Sequence, residues 1–234
     1  MSESAPASIP APEMPSAVRL IATLGLIALI SGFTIVLVYQ VTLEPIAQNH
    51  RDALERAVLR VLPGATQQAN FRWADGSLTR LADDDIGGAN LFAGFDATGQ
   101  LVGIALEAAA RGYAGEVRIL YGYAPDREVI IGYTVLQSSE TPGLGDKIET
   151  DRRFLANFDA LDVALADDGE SLRNPVRLVP QGTKQEPWEI DGITGATVSC
   201  RAVERALLES LRTHLPPLRP HLLTLDEPAG GDPS

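Results

Sequence analysis

Two glycine-bent, hydroxyl-bearing segments hold the side chains in this sequence best suited to chemistry. The first is Asp191-Gly192-Ile193-Thr194-Gly195-Ala196-Thr197-Val198-Ser199. It sets Thr197 just inside the start of a helical pattern, behind a glycine hinge. Helix starts leave backbone N–H groups unpaired and carry partial positive charge, so they favour phosphate. A hydroxyl there can lie beside a bound phosphate or be esterified to one. The plainer reading is an ordinary cap, because Thr and Ser are common at helix starts for that reason alone. Taken by itself, the segment allows Thr194 or Thr197 to be such a cap.

The second segment is Ser139-Glu140-Thr141-Pro142-Gly143-Leu144-Gly145-Asp146-Lys147. Its glycines and proline fix an unusual backbone path, and glycine lets a flat ligand approach the main chain. Glu140 and Thr141 offer polar groups and Leu144 an apolar face. Composition alone favours a surface turn between a strand and a helix. Gly112-Tyr113-Ala114-Gly115-Glu116 joins two expected strands and lacks the full G-x-G-x-x-G pattern, which reads as a tight turn. Asp83-Asp84-Asp85 lacks the spacing of a calcium loop and reads as solvated.

Composition narrows the chemistry. A net charge of −12 argues against nucleic-acid binding, which needs a basic surface. The single cysteine, Cys200, makes neither an internal disulfide nor an iron–sulfur centre. His50, His214 and His221 show no ligand spacing, so no metal site is expected. Redox chemistry in this chain would need an organic cofactor.

The elements that position these residues follow from periodicity. Residues 1–19 are rich in Pro, Ala and Ser and read as a disordered tail. Leu20 to Tyr39 run without a charge, 20 residues that span roughly 30 Å as a helix, about one bilayer core. The apolar run is longer than a signal peptide's and no small-x-small cleavage site follows, so a retained transmembrane anchor is expected. Arg19 on one side and Arg51 and Arg56 on the other leave orientation open on charge alone. Residues 40–64 form a juxtamembrane helical linker, with Leu54, Val58, Val61 and Leu62 on one face and Pro63-Gly64 at its end. It either links membrane to domain or packs on the domain.

Residues 65–213 are expected to form one domain. Strands are expected at 90–96, 101–109, 116–123 and 129–137, joined by short turns that favour antiparallel neighbours. A short helix is expected at 151–161 and a strand near 176–179, within an otherwise irregular stretch. A final helix runs from Ala196 to about Thr213 with Cys200, Val203, Leu207 and Leu211 inward. Pro216-Pro217 is expected to stop it, leaving 214–234 as a tail. The fold class is α+β: a single N-terminal transmembrane helix, then an antiparallel sheet with packed helices.

Read together, E-T-P-G-L-G-D-K-I followed by D-G-I-T-G-A-T resembles the motif pair of the G subunit of Rnf-type ion-translocating ferredoxin:NAD oxidoreductases. The C subunit of the sodium-translocating NADH:quinone reductase is similar, but Asp146-Lys147 here favours the Rnf type. The resemblance extends over residues 20–211 and departs at Ser199-Cys200, where Thr-Ser is commoner. It implies an FMN-binding domain with FMN esterified through its phosphate to Thr197, which makes the chain a phosphoprotein. A separate flavin transferase would attach it. It also implies contacts to the flavin from Thr194, Gly195, Ala196, Glu140, Thr141, Gly143, Leu144 and Lys147, and a neighbouring Tyr113. The implied protein is a single-pass subunit of the bacterial inner membrane with its domain on the periplasmic side. It would meet lipid and other membrane subunits and relay electrons between them as part of a translocase. The span carries no ionisable residue, so ion movement belongs to partner subunits. Two other classes share the same motifs or anchor: a membrane-tethered flavin-dependent redox sensor, and an assembly subunit without cofactor.

Overall fold

The computed structural model of the protein describes residues 16–74, 76–82, 85–222 and 225. The expected N-terminal tail up to residue 15, Asp83 and Asp84 of the acidic loop, and nearly all of the chain after Leu222 lie outside the described residues. The chain divides into two compact units, residues 1–50 and residues 51–234.

The first unit is made of helix α1 (Ala17–Val61), which also supplies the opening of the second. Among the described residues α1 is the one helix long and apolar enough to cross a membrane. Leu24, Ile27, Ile30, Phe33 and Val36 are more than half exposed, a surface that suits hydrocarbon rather than water. The hydroxyls of Thr23, Thr34 and Thr42 donate to the carbonyls of Arg19, Ile30 and Val38, so these polar groups are satisfied within the helix. The expected anchor and linker are therefore one helix, with Pro45 inside it.

The second unit is built on an antiparallel seven-stranded sheet in the order β2-β1-β3-β4-β5-β6-β7. Its strands are β1 (Gln67–Ala74), β2 (Ser77–Arg80), β3 (Leu91–Phe95), β4 (Leu101–Arg111), β5 (Glu116–Ala124), β6 (Val129–Gln137) and β7 (Leu161–Asp162). Alternation sends successive side chains to opposite faces and so sorts them into two cores. On β5, Val117, Ile119, Tyr121 and Tyr123 enter one core and Leu120 and Ala124 the other. The smaller core is closed by Leu54, Val58, Val61 and Leu62 at the end of α1, so this segment packs on the sheet. The approach is very close. A Cβ at Gly122 or Gly132 would overlap the Val61 carbonyl, and one at Gly94 would press on Leu62.

The larger core lies under helix α4 (Thr197–Leu222), where the Tyr121 hydroxyl and Ser210 Oγ share a hydrogen bond of 2.9 Å. Two short helices, α2 (Lys147–Thr150) and α3 (Arg152–Leu155), follow the loop after β6. A parallel pair, β8 (Arg177–Val179) and β9 (Glu189–Asp191), leads into α4.

Three features differ from the sequence expectation. α4 does not stop at Pro216-Pro217 but continues to Leu222, because Leu215, Leu218 and Leu222 extend its buried stripe. Their burial offsets the lost helix bonds at Pro216, Pro217 and Pro220. β1 and β2 form an unexpected hairpin at one edge of the sheet. The expected helix at 151–161 is only α3 plus one 3-10 turn (Ala156–Phe158), after which Leu161 joins the sheet beside Ile130.

Candidate functional site

Three segments converge at one end of the second unit: the turn between β4 and β5, the loop after β6, and the start of α4. Glu140 ties them together. Its Oε1 accepts from the Ala114 N–H at 3.0 Å, and its Oε2 accepts from the Ser199 hydroxyl in the first turn of α4. Glu140 is buried, and burial pushes its pKa up. The hydrogen bonds from Ser199, Ala114, Tyr113 and Gly115 outweigh that penalty and hold the carboxyl below its ordinary value. The closeness needs glycine. A Cβ at Gly145 would meet Ser199 Oγ at 2.6 Å and Glu140 Oε2 at 2.7 Å.

The loop and the helix approach are both bent by glycines in the left-handed region, Gly143 at φ 77° and Gly195 at φ 87°. The Thr141 carbonyl closes the loop by accepting from Leu144 N at 3.1 Å and Gly145 N at 3.0 Å. Before α4, Asp191 Oδ1 accepts from Gly182 N at 2.6 Å and Gln181 Oε1 accepts from Thr194 N at 3.0 Å. Asn157 braces the same strand by donating to Asp191 O at 3.1 Å and accepting from Asp191 N at 2.9 Å. Glu189 anchors the loop that precedes it. The Gln185 N–H, the Arg177 guanidinium and the Glu186 N–H bring its pKa down to about 2.

Thr197 is the first residue of α4, and its side chain is exposed. The residue before it is Ala196, whose carbonyl accepts from Cys200 N at 2.9 Å. Ala196 has no side-chain oxygen, so it cannot cap the first N–H groups of the helix. Neither threonine is an ordinary cap. Thr194 lies within the turn that Ala196 N closes onto the Ile193 carbonyl, with its backbone N–H rather than its hydroxyl engaged.

A cavity of about 490 Å³ opens over this helix start. Glu140, Thr141, Leu144 and Gly145 form one wall and Gly195, Ala196, Thr197, Val198 and Ser199 another, with Tyr113 at the rim. Tyr113 is 74% exposed, Leu144 51% and Val198 48%. Outside α1 these three are the only exposed large hydrophobic side chains among the described residues, and all three line this cavity. An open apolar wall beside a start of helix with no side-chain cap suits a planar ring carrying a phosphate.

A second cavity of about 260 Å³ adjoins it and shares Gly195 and Thr197. Thr194 lines this one, with Gln181 and Arg201. Of the residues singled out in the sequence, Gly143 and Lys147 line neither cavity, although Gly143 belongs to the same loop and Lys147 opens the helix that follows it. Gly145, Val198, Ser199, Gln181 and Arg201 had not been singled out. Cys200 is buried, which pushes its thiol up to about 11 and makes it unreactive. No cluster of side chains suited to a metal occurs among the described residues.

Residues 112–212 match the FMN-binding domain family. Over 77% of its length the chain is 34% identical to the G subunit of the ion-translocating oxidoreductase complex of Cereibacter sphaeroides, and the match covers 76% of that protein. The corresponding G subunit of Pseudomonas aeruginosa is 32% identical over 88% of this chain and 92% of its own length. Among solved structures, NqrC of Shewanella oneidensis aligns with a TM-score of 0.61 at 19% identity, covering 76% of this chain and 98% of that one. The C subunit of the sodium-translocating NADH-quinone reductase of Parabacteroides distasonis gives 0.59 at 19% identity, over 75% and 96%. At that identity the two structures share the fold.

Proposed function

This chain belongs to the family of G subunits of ion-translocating oxidoreductase complexes, and from that premise we propose how its residues serve the flavin. The protein is a membrane-anchored, FMN-binding electron-transfer subunit of such a multi-subunit complex. FMN supplies electron transfer when bound. The chain's own task is to hold the cofactor, orient its ring and present an edge to neighbouring subunits.

The observation that carries the reading is the meeting of three features at Thr197: an exposed hydroxyl, a helix start without a side-chain cap and an open apolar wall. Thr197 Oγ1 is the attachment point. Its oxygen forms a bond to the FMN phosphorus of FAD while the pyrophosphate bond to AMP breaks. AMP leaves, the hydroxyl proton passes to a base of a flavin transferase, and nothing is oxidised or reduced. The helix N–H groups stabilise the phosphodiester anion. Tyr113, Leu144 and Val198 would offer the ring an apolar surface, and Thr141 would offer it a hydroxyl. Glu140 already uses both oxygens within the protein, so it fixes the walls rather than binding the ring.

The exposed apolar face of α1 meets lipid, and the domain lies on the periplasmic side of the inner membrane. Protease added to spheroplasts should digest the region after Val41; protection there would reverse the topology. The attachment itself is tested on a denaturing gel under ultraviolet light. After coexpression with a flavin transferase the band should fluoresce. A dark band would leave a non-covalent flavin or a cofactor-free assembly subunit.

A further inference from the structure

The smaller cavity has a chemistry that the apolar one lacks. Arg201 is the only cationic side chain lining either cavity, and it stands four residues after Thr197 on α4, on the same helix face. Its side chain is exposed and makes no hydrogen bond or ion pair within the described residues. Neither Glu204, one turn along α4, nor Asp191 pairs with it among the described residues. Glu204 Oε1 accepts from Leu178 N at 2.7 Å, and Asp191 Oδ1 accepts from Gly182 N. The guanidinium is therefore left with unused donors at a hollow that Thr197 borders and that Gln181 and Thr194 also line.

We propose that this second cavity is the phosphate subsite of the bound flavin, with Arg201 as the residue that positions the phosphodiester. The inference rests on the reading that Thr197 carries FMN. A phosphodiester keeps one negative charge at neutral pH. The start of α4 offers N–H groups from one side, and Arg201 adds a charge-assisted partner one turn along. Thr197 sits between the two hollows, so a phosphate drawn toward Arg201 leaves the larger, apolar hollow to the ring. Arg201 thus selects the direction in which the cofactor lies.

Thermal unfolding of the full chain in detergent, prepared with and without coexpressed flavin transferase, tests this in the native protein, Arg201→Gln and Arg201→Lys. Flavin should raise the native unfolding temperature, and added salt should shrink that gain. Arg201→Gln should match the native protein when flavin-free, yet lose most of the gain and its salt dependence, while Arg201→Lys keeps part of both. Loss of attachment in Arg201→Gln that Arg201→Lys restores would also support a role for the charge. An equal gain in the native protein and Arg201→Gln, no gain in the native protein, or loss of attachment in both variants would overturn the subsite. If instead the native chain itself carries no covalent flavin, it is the attachment at Thr197 that fails.

Discussion

The seam between α1 and the sheet and the cavity over α4 both depend on glycine, for opposite physical reasons. At the seam Gly122 and Gly132 are required because the Val61 carbonyl occupies the place where a side chain would go. At the cavity Gly143 and Gly195 are required by backbone angles of 77° and 87°, while the space around them is open. Nothing lies within 4 Å of a Cβ built at Gly143, and at Gly195 only Leu144 comes as near as 4.0 Å. The first region is closed and belongs to stability. The second uses glycine-only backbone angles to shape a partly apolar hollow open to the surface, and such a hollow suits a ligand.

That contrast predicts a graded set of losses. Gly122→Val should be the most severe, because the side chain would meet backbone that cannot yield. A cost of about 3 kcal/mol or more is expected, read as loss of the cooperative unfolding transition in the flavin-free domain. A native-like transition in this variant would mean that α1 does not press on the sheet. Glu140→Ala should come next. It strands the Ala114 N–H and the Ser199 hydroxyl, at about 1–3 kcal/mol, and loosens both cavity walls, so denaturant unfolding and flavin content should fall together.

The same carboxylate sets a pH dependence. Hydrogen bonds win over burial and lower its folded pKa, so its contribution is complete above the ordinary value of 4.5 and is lost as pH falls through the folded value. Glu189 behaves alike, losing its contribution as pH falls from 4.5 to about 2. Acid unfolding of Glu140→Gln and Glu189→Gln should therefore depend less on pH in this range than that of the native protein. Parallel curves would remove both groups from the account.

Gly195→Ala should cost about 1–2 kcal/mol from the left-handed backbone alone, with the domain still folded and attachment at Thr197 slowed. Unchanged attachment would show that the bend does not aim the hydroxyl. The smallest effect is expected at Thr141→Val. Covalent FMN should remain, and redox titration should show a shift of tens of millivolts, the equivalent of one net hydrogen bond of about 0.5–1.5 kcal/mol. An unchanged potential would move the loop from ring contact to subunit docking.

The sheet's centre was legible because β3 to β6 are apolar runs separated by short turns. β1 and β2 were not, since Gln67, Gln68, Arg72 and Thr79 break the apolar pattern of an edge hairpin. The end of α4 departs from its local sequence signal because proline outranks leucine there, whereas burial of Leu215, Leu218 and Leu222 is decided by tertiary packing. In the site, hydroxyls and glycine bends could be seen along the chain. The role of Glu140 could not, because its partner Ser199 lies 59 residues away. Gln181 and Arg201 were invisible for the same reason: nothing in their neighbours marks a hollow that only the folded chain creates.

The central claim is that the hollow over α4 exists to hold FMN at one hydroxyl. Peptide mass mapping of protein matured with a flavin transferase tests it most directly, in the native chain, Thr197→Ala and Thr194→Ala. The account predicts one FMN phosphodiester on the native peptide containing Thr197, none in Thr197→Ala, and full occupancy in Thr194→Ala, with all three proteins folded. FMN retained by Thr197→Ala, or found on Thr194, would contradict it.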